Sequence, residues 1–183
     1  PSEILTDRIL EESLRKDRLD QIRHEISVPD DPGNHFIKFR VPWYQTDIIR
    51  PESADFIFSQ AVLQHIDYIN HAFVAMHTWL APQGFMSHVT DYSSLGFTRY
   101  WNGHWTMTDL EWKIMRGGRK FLTNRLTHSA YVKLHKEFKL RILEVKTVTK
   151  PNEIPENQLV KNFRNLPEED LTTFCSWIIS VKE

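Results

Sequence analysis

Three short stretches of polar and aromatic residues carry side chains suited to binding a small molecule. They are Trp43-Tyr44, Ser59-Gln60 and Asp91-Tyr92, and each directly follows a run rich in apolar residues. Hydroxyl, amide and carboxylate groups can hydrogen-bond a ligand, and aromatic rings can pack against a flat one. A simpler interpretation stays open, in which Ser59 caps a turn and Asp91 accepts a hydrogen bond from a neighbouring backbone amide.

Nine histidines are a second source of chemistry, because the ordinary imidazole pKa lies near neutrality. His88 lies within a predicted strand, where a packed core histidine is the alternative to a general base. His104 lies between Trp101 and Trp105, which favours either a ligand-binding wall or a small aromatic core. No HExxH motif or similarly short spacing occurs, and Cys175 is the only cysteine. The sequence therefore predicts no metal site.

Hydrophobic patterns predict the elements that must position these residues. Leucine and isoleucine recur every three or four positions over 3–26, which predicts an N-terminal helix. Alternation over 35–41 predicts a short strand. A second strand is predicted at 54–59, where Phe56, Ile57 and Phe58 favour burial on both faces, as in a parallel sheet.

The second strand opens a strand–helix–strand unit. Its helix is predicted to begin with Asp67 as N-cap and to end at Leu80 to Gly84, where Pro82 stops it and Gly84 permits a positive φ. The next strand is predicted at 85–91. Because ligands bind beyond the carboxyl ends of such strands, the polar stretches after them are expected to meet in one crevice.

The second half of the chain is predicted to contain an insertion at 93–125, with its own short helix at 108–115. The insertion has three of the six tryptophans, four of the six glycines, and six basic against two acidic residues. A helix at 129–138 and two strands at 140–149 and 173–181 follow, and they predict an antiparallel end to the sheet. The whole chain, 1–183, is expected to form one domain.

Composition limits the classes of function. The 183 residues are 40% hydrophobic and 26% charged, with a formal net charge of −1. This balance gives no global drive toward nucleic acid or an anionic membrane, and no apolar run is long enough to span a bilayer. A single cysteine fits a reducing, cytoplasmic compartment. No glycine spacing forms a phosphate-binding loop.

Two motifs resemble those of a known family. Residues 55–66, DFIFSQAVLQHI, resemble the fourth-strand motif of class I S-adenosylmethionine-dependent methyltransferases of the small-molecule type 11/12 kind. Residues 80–85, LAPQGF, are similar to the family's L-x-P-G-G helix end, with Gln83 in place of the first glycine. Their order and spacing are also those of the family. The resemblance covers residues 36–92, and the late strand pair extends it to the C-terminus.

The resemblance implies a Rossmann-like three-layer α/β sandwich, with a mostly parallel sheet and an antiparallel C-terminal strand pair. The family's glycine-rich first loop and the acidic residue after its second strand have no counterpart in this sequence. We therefore expect an N-terminally incomplete fold that lacks the central first strand. Strand 54–59 would then form an exposed apolar edge of the sheet.

The resemblance also implies S-adenosylmethionine as cofactor, with methyl transfer to a small-molecule or glycan-type acceptor that depends on proximity and alignment. The implied cofactor-binding residues are Trp43, Tyr44, Ser59, Gln60 and His65. The candidate catalytic residues are His88, Asp91 and His104, with His128 as a further candidate base. The candidate substrate-binding residues are Tyr92, Trp101, Trp105 and Arg125. Trp43-Tyr44 stands where the family has Asp-Ala, and the backbone amide of Tyr44 could still contact adenine.

Two functions stay open at this stage. In the first, the protein is a methyltransferase, and we expect this chain by itself to bind the cofactor poorly and to be inactive. In the second, it is a non-catalytic methyltransferase-like module that binds a partner chain through the exposed sheet edge and the aromatic insertion. The same edge predicts a homodimer, and no nucleic-acid or membrane partner is expected.

Overall fold

A computed structural model describes residues 6–119 and 122–183, which divide into two compact units, Pro1–Pro42 and Trp43–Glu183. The first unit contains helices α1 (Asp7–Ser13) and α2 (Lys16–Ser27). The predicted helix at 3–26 is therefore two helices with a break at 14–15, and its first three residues lie outside the described part. The single domain over 1–183 stays a prediction.

The predicted strand at 35–41 is wrong. Its first backbone amides do not join a sheet; instead the N–H groups of His35, Phe36 and Ile37 donate to the Glu25 carboxylate over 2.7–3.1 Å. Burial opposes ionisation of Glu25, but these hydrogen bonds and one from Gln21 outweigh it and lower its pKa to about 2. An alternating pattern does not form a strand when its amides have no ladder partner.

The second unit is built on a four-stranded sheet. Its strands are β1 (Ala54–Gln60), β2 (Leu80–Asp91), β3 (Leu140–Thr149) and β4 (Thr173–Lys182), in the order β1-β2-β4-β3. β1 and β2 are parallel, and β4 runs antiparallel to both of its neighbours. The Rossmann-like α/β fold class and the antiparallel C-terminal strand pair are therefore confirmed.

Two helices cover one face of the sheet. They are α3 (Ile69–Trp79) and α5 (His128–Glu137), and their apolar sides share a core with the sheet. The fully buried members of that core include Phe73, Leu80, Met86 and Tyr131. This packing orients β1 and β2, and the turn after β1 lines the candidate site.

The opposite face of the sheet is open at β1, so the predicted burial of that strand on both faces is wrong. Phe56 and Phe58 are 58% and 69% exposed, and their rings stack with centres 6.0 Å apart. Among the residues that the structure describes, β1 pairs only with β2. The strand therefore lies at a sheet edge, as the family resemblance led us to expect.

Two predictions about the ends of α3 are corrected. Asp67 does not cap the helix, which begins at Ile69 after Tyr68; the Asp67 carboxylate pairs with Arg116 instead. At the other end, Gln83 takes the positive φ, at 61°, whereas Gly84 does not. Gly84 serves close packing, because a Cβ there would lie 2.9 Å from the Ala81 carbonyl oxygen.

The insertion shares a small core with the segment between β3 and β4. Helix α4 (Asp109–Arg116) begins with a capping box between Thr108 and Glu111, which confirms the predicted helix. Trp105 is fully buried and shares a second apolar cluster with Ile154 and Leu159. A short helix, α6 (Glu168–Thr172), leads directly into β4. Within residues 6–119 and 122–183, no helix has the length and apolar character needed to cross a membrane.

Candidate functional site

A cavity of about 950 Å³ lies beside the carboxyl end of β1. Its walls come from β1, the turn after it, α3 and the segment that begins at Trp43. The apolar lining residues are Trp43, Ile57, Ala61, Val62, Leu63, Ile66, Ala72, Met76 and Trp79. The polar or hydroxyl-bearing lining residues are Tyr44, Ser59, His65, Asp67, Tyr68, His71 and Arg116. Such a cavity suits a ligand with an apolar body and few polar groups.

The segment before β1 is fixed against α3 by hydrogen bonds to backbone carbonyl oxygens. The indole N–H of Trp79 donates to the Thr46 carbonyl oxygen over 2.8 Å, and the N–H of Ser53 donates to the Trp79 carbonyl oxygen over 2.9 Å. Trp43 and Tyr44 pack edge to face with centres 5.8 Å apart, and both stay partly exposed. The rings of Trp43 and Tyr44 therefore line the cavity although the strand predicted before them, at 35–41, does not form.

The turn after β1 is fixed by the insertion. The side-chain amide of Asn124 donates to the carbonyl oxygens of Leu63 and Ile66 over 3.1 and 2.9 Å. Arg116 of α4 forms a two-pronged pair with the Asp67 carboxylate at the cavity rim. Sequence reasoning missed Asn124 and Asp67 as site-forming residues, because contacts this distant along the chain leave no local pattern.

Four of the five predicted cofactor-binding residues line this one cavity: Trp43, Tyr44, Ser59 and His65. Gln60 is exposed at the end of β1 and is not part of the lining. His88 lies behind the cavity wall, and its Nδ1 atom is 2.8 Å from the Ser59 hydroxyl oxygen. The structure thus brings together Ser59 and the aromatic pair, but Asp91 and Tyr92 do not join them, so the predicted meeting of all three stretches in one crevice is only partly met.

The other predicted residues lie outside the lining. The Asp91 carboxylate accepts a hydrogen bond from the Ser93 amide over 2.7 Å, which is the simpler interpretation given above. Tyr92 is buried, and its hydroxyl is 2.6 Å from that of Ser176. Burial chiefly raises the pKa of Tyr92, so the phenol stays protonated. His128 lies beside Tyr92, and burial lowers its pKa.

The residues of the insertion form an aromatic cluster of their own. His104 is buried between Trp105 and Trp112, with ring centres 5.2 and 5.8 Å away. Burial, with a smaller effect of the nearby Arg125 charge, lowers the pKa of His104 to about 3. Arg125 is also buried, donates to the Met107 carbonyl oxygen and lies over the Phe163 ring. This arrangement is the aromatic core that the sequence left as one alternative.

Trp101 is also held within the structure, because its indole N–H donates to the Pro151 carbonyl oxygen over 3.0 Å. The catalytic roles of His88, Asp91 and His104, and the substrate contacts of Tyr92, Trp101, Trp105 and Arg125, stay predictions. Among the described residues, no group of three or more His, Cys, Asp or Glu side chains is arranged to hold a metal ion.

Comparison with known proteins establishes the fold. No protein-family model matches the sequence, and a search of curated proteins finds no match. Among solved structures, an S-adenosylmethionine-dependent methyltransferase from Methanosarcina mazei superposes with a TM-score of 0.54, at 13% identity over 92% of this chain and 79% of the other. One from Mesorhizobium loti gives 0.53, at 15% identity over 92% and 78%.

This chain has the class I methyltransferase fold. Against eight of the methyltransferase chains that it matches, this chain spans from 34% to 80% of the other chain's length.

The cavity fits one part of S-adenosylmethionine better than the other. Flat aromatic rings and an apolar lining suit the adenine base. The amino-acid end of the cofactor carries an ammonium and a carboxylate, which need charged partners. Asp67 is the only acid that lines the cavity among the described residues, and Arg116 already pairs with it. The described residues therefore match the adenine end and do not match the amino-acid end.

Proposed function

We propose that this protein acts in S-adenosylmethionine-dependent methyl transfer to a small-molecule or glycan-type acceptor, and that the described cavity holds the adenine end of the cofactor. The observation that carries the proposal is the meeting of Trp43, Tyr44, Ser59 and His65 at one cavity within a methyltransferase fold. When bound, S-adenosylmethionine supplies an activated methyl group. The acceptor class, small molecule or glycan, follows only from the family resemblance, and a cytoplasmic location only from the single cysteine.

Each cavity residue has a role in this proposal. Trp43 and Tyr44 would pack against the base, and the apolar walls of β1 and α3 would exclude water from it. Ser59 supplies a hydroxyl on an otherwise apolar wall. The proposal does not depend on His88, Asp91 or His104 as catalytic groups.

The amino-acid end of the cofactor has no charged partner here, so we propose that this 183-residue chain alone is inactive and binds S-adenosylmethionine weakly. We expect a Kd of about 1 mM or weaker, which corresponds to about −4 kcal/mol. Titration calorimetry with 5′-methylthioadenosine, S-adenosylhomocysteine and methionine tests this. The first two should bind equally weakly, and methionine should not bind.

Replacing Trp43 by alanine should abolish the binding of 5′-methylthioadenosine. Phe39→Ala is the matched control, because Phe39 is an exposed aromatic residue that does not line the cavity. If the unmodified chain bound S-adenosylmethionine with micromolar affinity, the proposal that it lacks partners for the amino-acid end of the cofactor would be contradicted. If Trp43→Ala bound 5′-methylthioadenosine as tightly as the unmodified chain does, the proposed location of the adenine end in this cavity would be contradicted.

A second candidate function is a non-catalytic module that binds a partner chain. The exposed Phe56 and Phe58 at the β1 edge specifically favour it, because long apolar strand edges are usually covered. The two candidates make different demands on the chain: the enzyme needs the cavity of Trp43 and Ser59, whereas the module needs the opposite face and edge of β1.

A further inference from the structure

The rim of the cavity carries one acid and one base, and the proposed function uses neither of them. Among the lining residues that the structure describes, Asp67 and Arg116 are the only Asp, Glu, Lys or Arg side chains. Arg116 ends α4, and Asp67 lies between β1 and α3, so the two meet across 49 positions of the chain. The charge that a ligand meets at this rim therefore depends on how these two groups are paired.

The two charged groups are joined head to head. Arg116 donates from both Nη atoms to the two carboxylate oxygens of Asp67, and the Nη2–Oδ2 distance is 3.0 Å. Such a two-pronged pair occupies both carboxylate oxygens and is stronger than a single contact. The Arg116 side chain is 20% exposed and that of Asp67 is 49% exposed, so water screens the pair only in part. The rim therefore presents a neutralised pair to a ligand.

A second contact holds Arg116 in place without the help of Asp67. Its Nε atom donates to the Arg119 carbonyl oxygen over 3.2 Å. The helix α4 is itself anchored by Trp112, whose indole N–H donates to the Thr123 carbonyl oxygen over 3.1 Å. Asp67 does not cap α3, so that helix does not depend on its charge. Loss of the Asp67 charge should therefore leave Arg116 at the rim with its Nη donors available.

We infer that Asp67 determines the charge of the ligand that the cavity accepts. Its carboxylate occupies Arg116 and prevents this guanidinium from binding a carboxylate or phosphate group, and Arg116 in turn prevents Asp67 from binding an ammonium group. An ionic ligand would leave water for an apolar wall without gaining a partner, which is costly. The cavity therefore selects uncharged aromatic ligands. Asp67 is a specificity-determining residue in this arrangement, and Arg116 is an anion-binding group that Asp67 keeps occupied.

The inference concerns any aromatic ligand that enters the cavity, so it does not rest on the proposed function. It goes beyond that function because it names the residue that would exclude nucleotides, whose phosphate groups are anionic. A cavity that bound 5′-methylthioadenosine and had a free arginine at its rim would also bind adenosine 5′-monophosphate.

Three indoles of similar shape and different charge test the inference: 3-methylindole is uncharged, indole-3-acetate is an anion and tryptamine is a cation. The amide ¹H–¹⁵N shifts of Ser59 and Ile66, which line the cavity, report binding there and give each Kd. The wild-type chain should bind 3-methylindole at least as tightly as it binds either ion. Asp67→Asn should bind indole-3-acetate about 3- to 10-fold more tightly than the wild type does, the value of one hydrogen bond. The Kd of 3-methylindole should not change.

Two further variants complete the design. Arg116→Gln should have the opposite effect, so that tryptamine binds about 3- to 10-fold more tightly than it binds the wild type. Asp17→Asn is the matched control, because Asp17 also accepts two hydrogen bonds from one arginine, Arg15, and lies outside the cavity lining. It changes the net charge of the chain by the same amount as Asp67→Asn does, and it should leave all three Kd values unchanged.

Three outcomes would overturn the inference. If the wild-type chain bound indole-3-acetate more tightly than 3-methylindole, Arg116 would be free to bind an anion. If Asp67→Asn changed none of the Kd values, or changed all three equally, Asp67 would not act through its charge. If no indole shifted the Ser59 and Ile66 amides, no aromatic ligand would enter the cavity. The titration with 5′-methylthioadenosine tests the proposed function separately, since indoles can bind where that nucleoside does not.

Discussion

At the scale of single residues, burial decides what each histidine can do. His88 and His104 were candidates for a general base, but both are 1% exposed and their pKa values lie at about 3, chiefly because burial disfavours the cation. A histidine held neutral in this way is a weak base and a good hydrogen-bond partner. Its chemistry is therefore better suited to positioning a neighbour than to accepting a proton from substrate.

The same burial predicts how stability depends on pH. Below the ordinary histidine pKa of 6.5 the unfolded chain binds protons that folded His88 and His104 do not bind until about pH 3. Each therefore lowers the free energy of unfolding by about 1.4 kcal/mol per pH unit as the pH falls from 6.5 toward 3. Urea unfolding at pH 7, 6 and 5 measures this, and stability should fall throughout.

A His104→Phe variant separates the contribution of one histidine. It should lose stability less steeply than the wild type, by about 1.4 kcal/mol per pH unit, because one proton fewer is taken up on unfolding. Parallel stability curves for the two proteins between pH 6 and pH 5 would show that His104 is not held neutral.

At the scale of elements, the sequence motif at 80–85 predicts where α3 ends but not which of its residues takes the positive φ. The sequence predicts a tight helix end at Leu80 to Gly84, and the helix does end at Trp79. The left-handed residue is Gln83, whereas Gly84 lies against the backbone oxygens of Ala81 and Ala54, 2.9 and 3.0 Å from an added Cβ. The motif therefore predicts where the helix ends, but it does not predict which residue is left-handed and which one is required for close packing.

This close packing predicts that Gly84→Ala destabilises the fold by about 1–3 kcal/mol, the usual cost of overpacking a buried site. The backbone atoms that the new methyl group would meet cannot rotate away. Chemical denaturation measures the change. Gly118→Ala is the matched control, because a Cβ at Gly118 meets open space and its φ is not in the left-handed region. Equal stability of the two variants would contradict the packing role of Gly84.

At the scale of the whole molecule, the two edge strands of the sheet, β1 and β3, differ in how strongly their residues discourage pairing with another chain. β3 carries the charged residues Arg141, Glu144 and Lys146, which discourage pairing with another strand. From Phe56 to Gln60, β1 carries no charge. Antiparallel pairing of β1 with a second copy, centred on Phe58, would place the two Phe58 residues opposite each other and no like charges together.

We therefore predict that this chain self-associates through β1. Sedimentation velocity should give a mass that rises above 21.8 kDa with concentration. Phe58→Glu should make the protein monomeric, because it opposes two carboxylates across the pair. Phe85→Glu is the matched control, since Phe85 is exposed on the same face but lies on β2, which is paired on both sides.

Phe58→Glu and Phe85→Glu also show whether the chain self-associates through the edge of β1 or through the open face of the sheet. Loss of association in both would indicate an interface through the open face of the sheet, and a wild-type chain that stays monomeric at all concentrations would contradict self-association.

The local sequence determined the elements of the second unit and where the candidate site begins. Each of these elements follows from a pattern among neighbouring residues, so the sequence alone predicts it. Examples are the apolar run at 54–59, the helix end at 80–84 and the alternation at 140–149. Ser59 was found because it lies near the carboxyl end of β1, where open α/β sheets bind ligands. Trp43 and Tyr44 line the cavity although the strand predicted before them does not form.

Only the tertiary structure decided which side chains are buried and which line the cavity. Trp105 and Trp43 are the same residue type and both lie outside the α-helices and strands, yet one is fully buried and the other lines the cavity. The 35–41 segment alternates as a strand does, yet its amides bind Glu25. Burial and hydrogen-bond partners depend on residues far away along the chain, such as Asn124 beneath the turn after β1, and no local pattern encodes them.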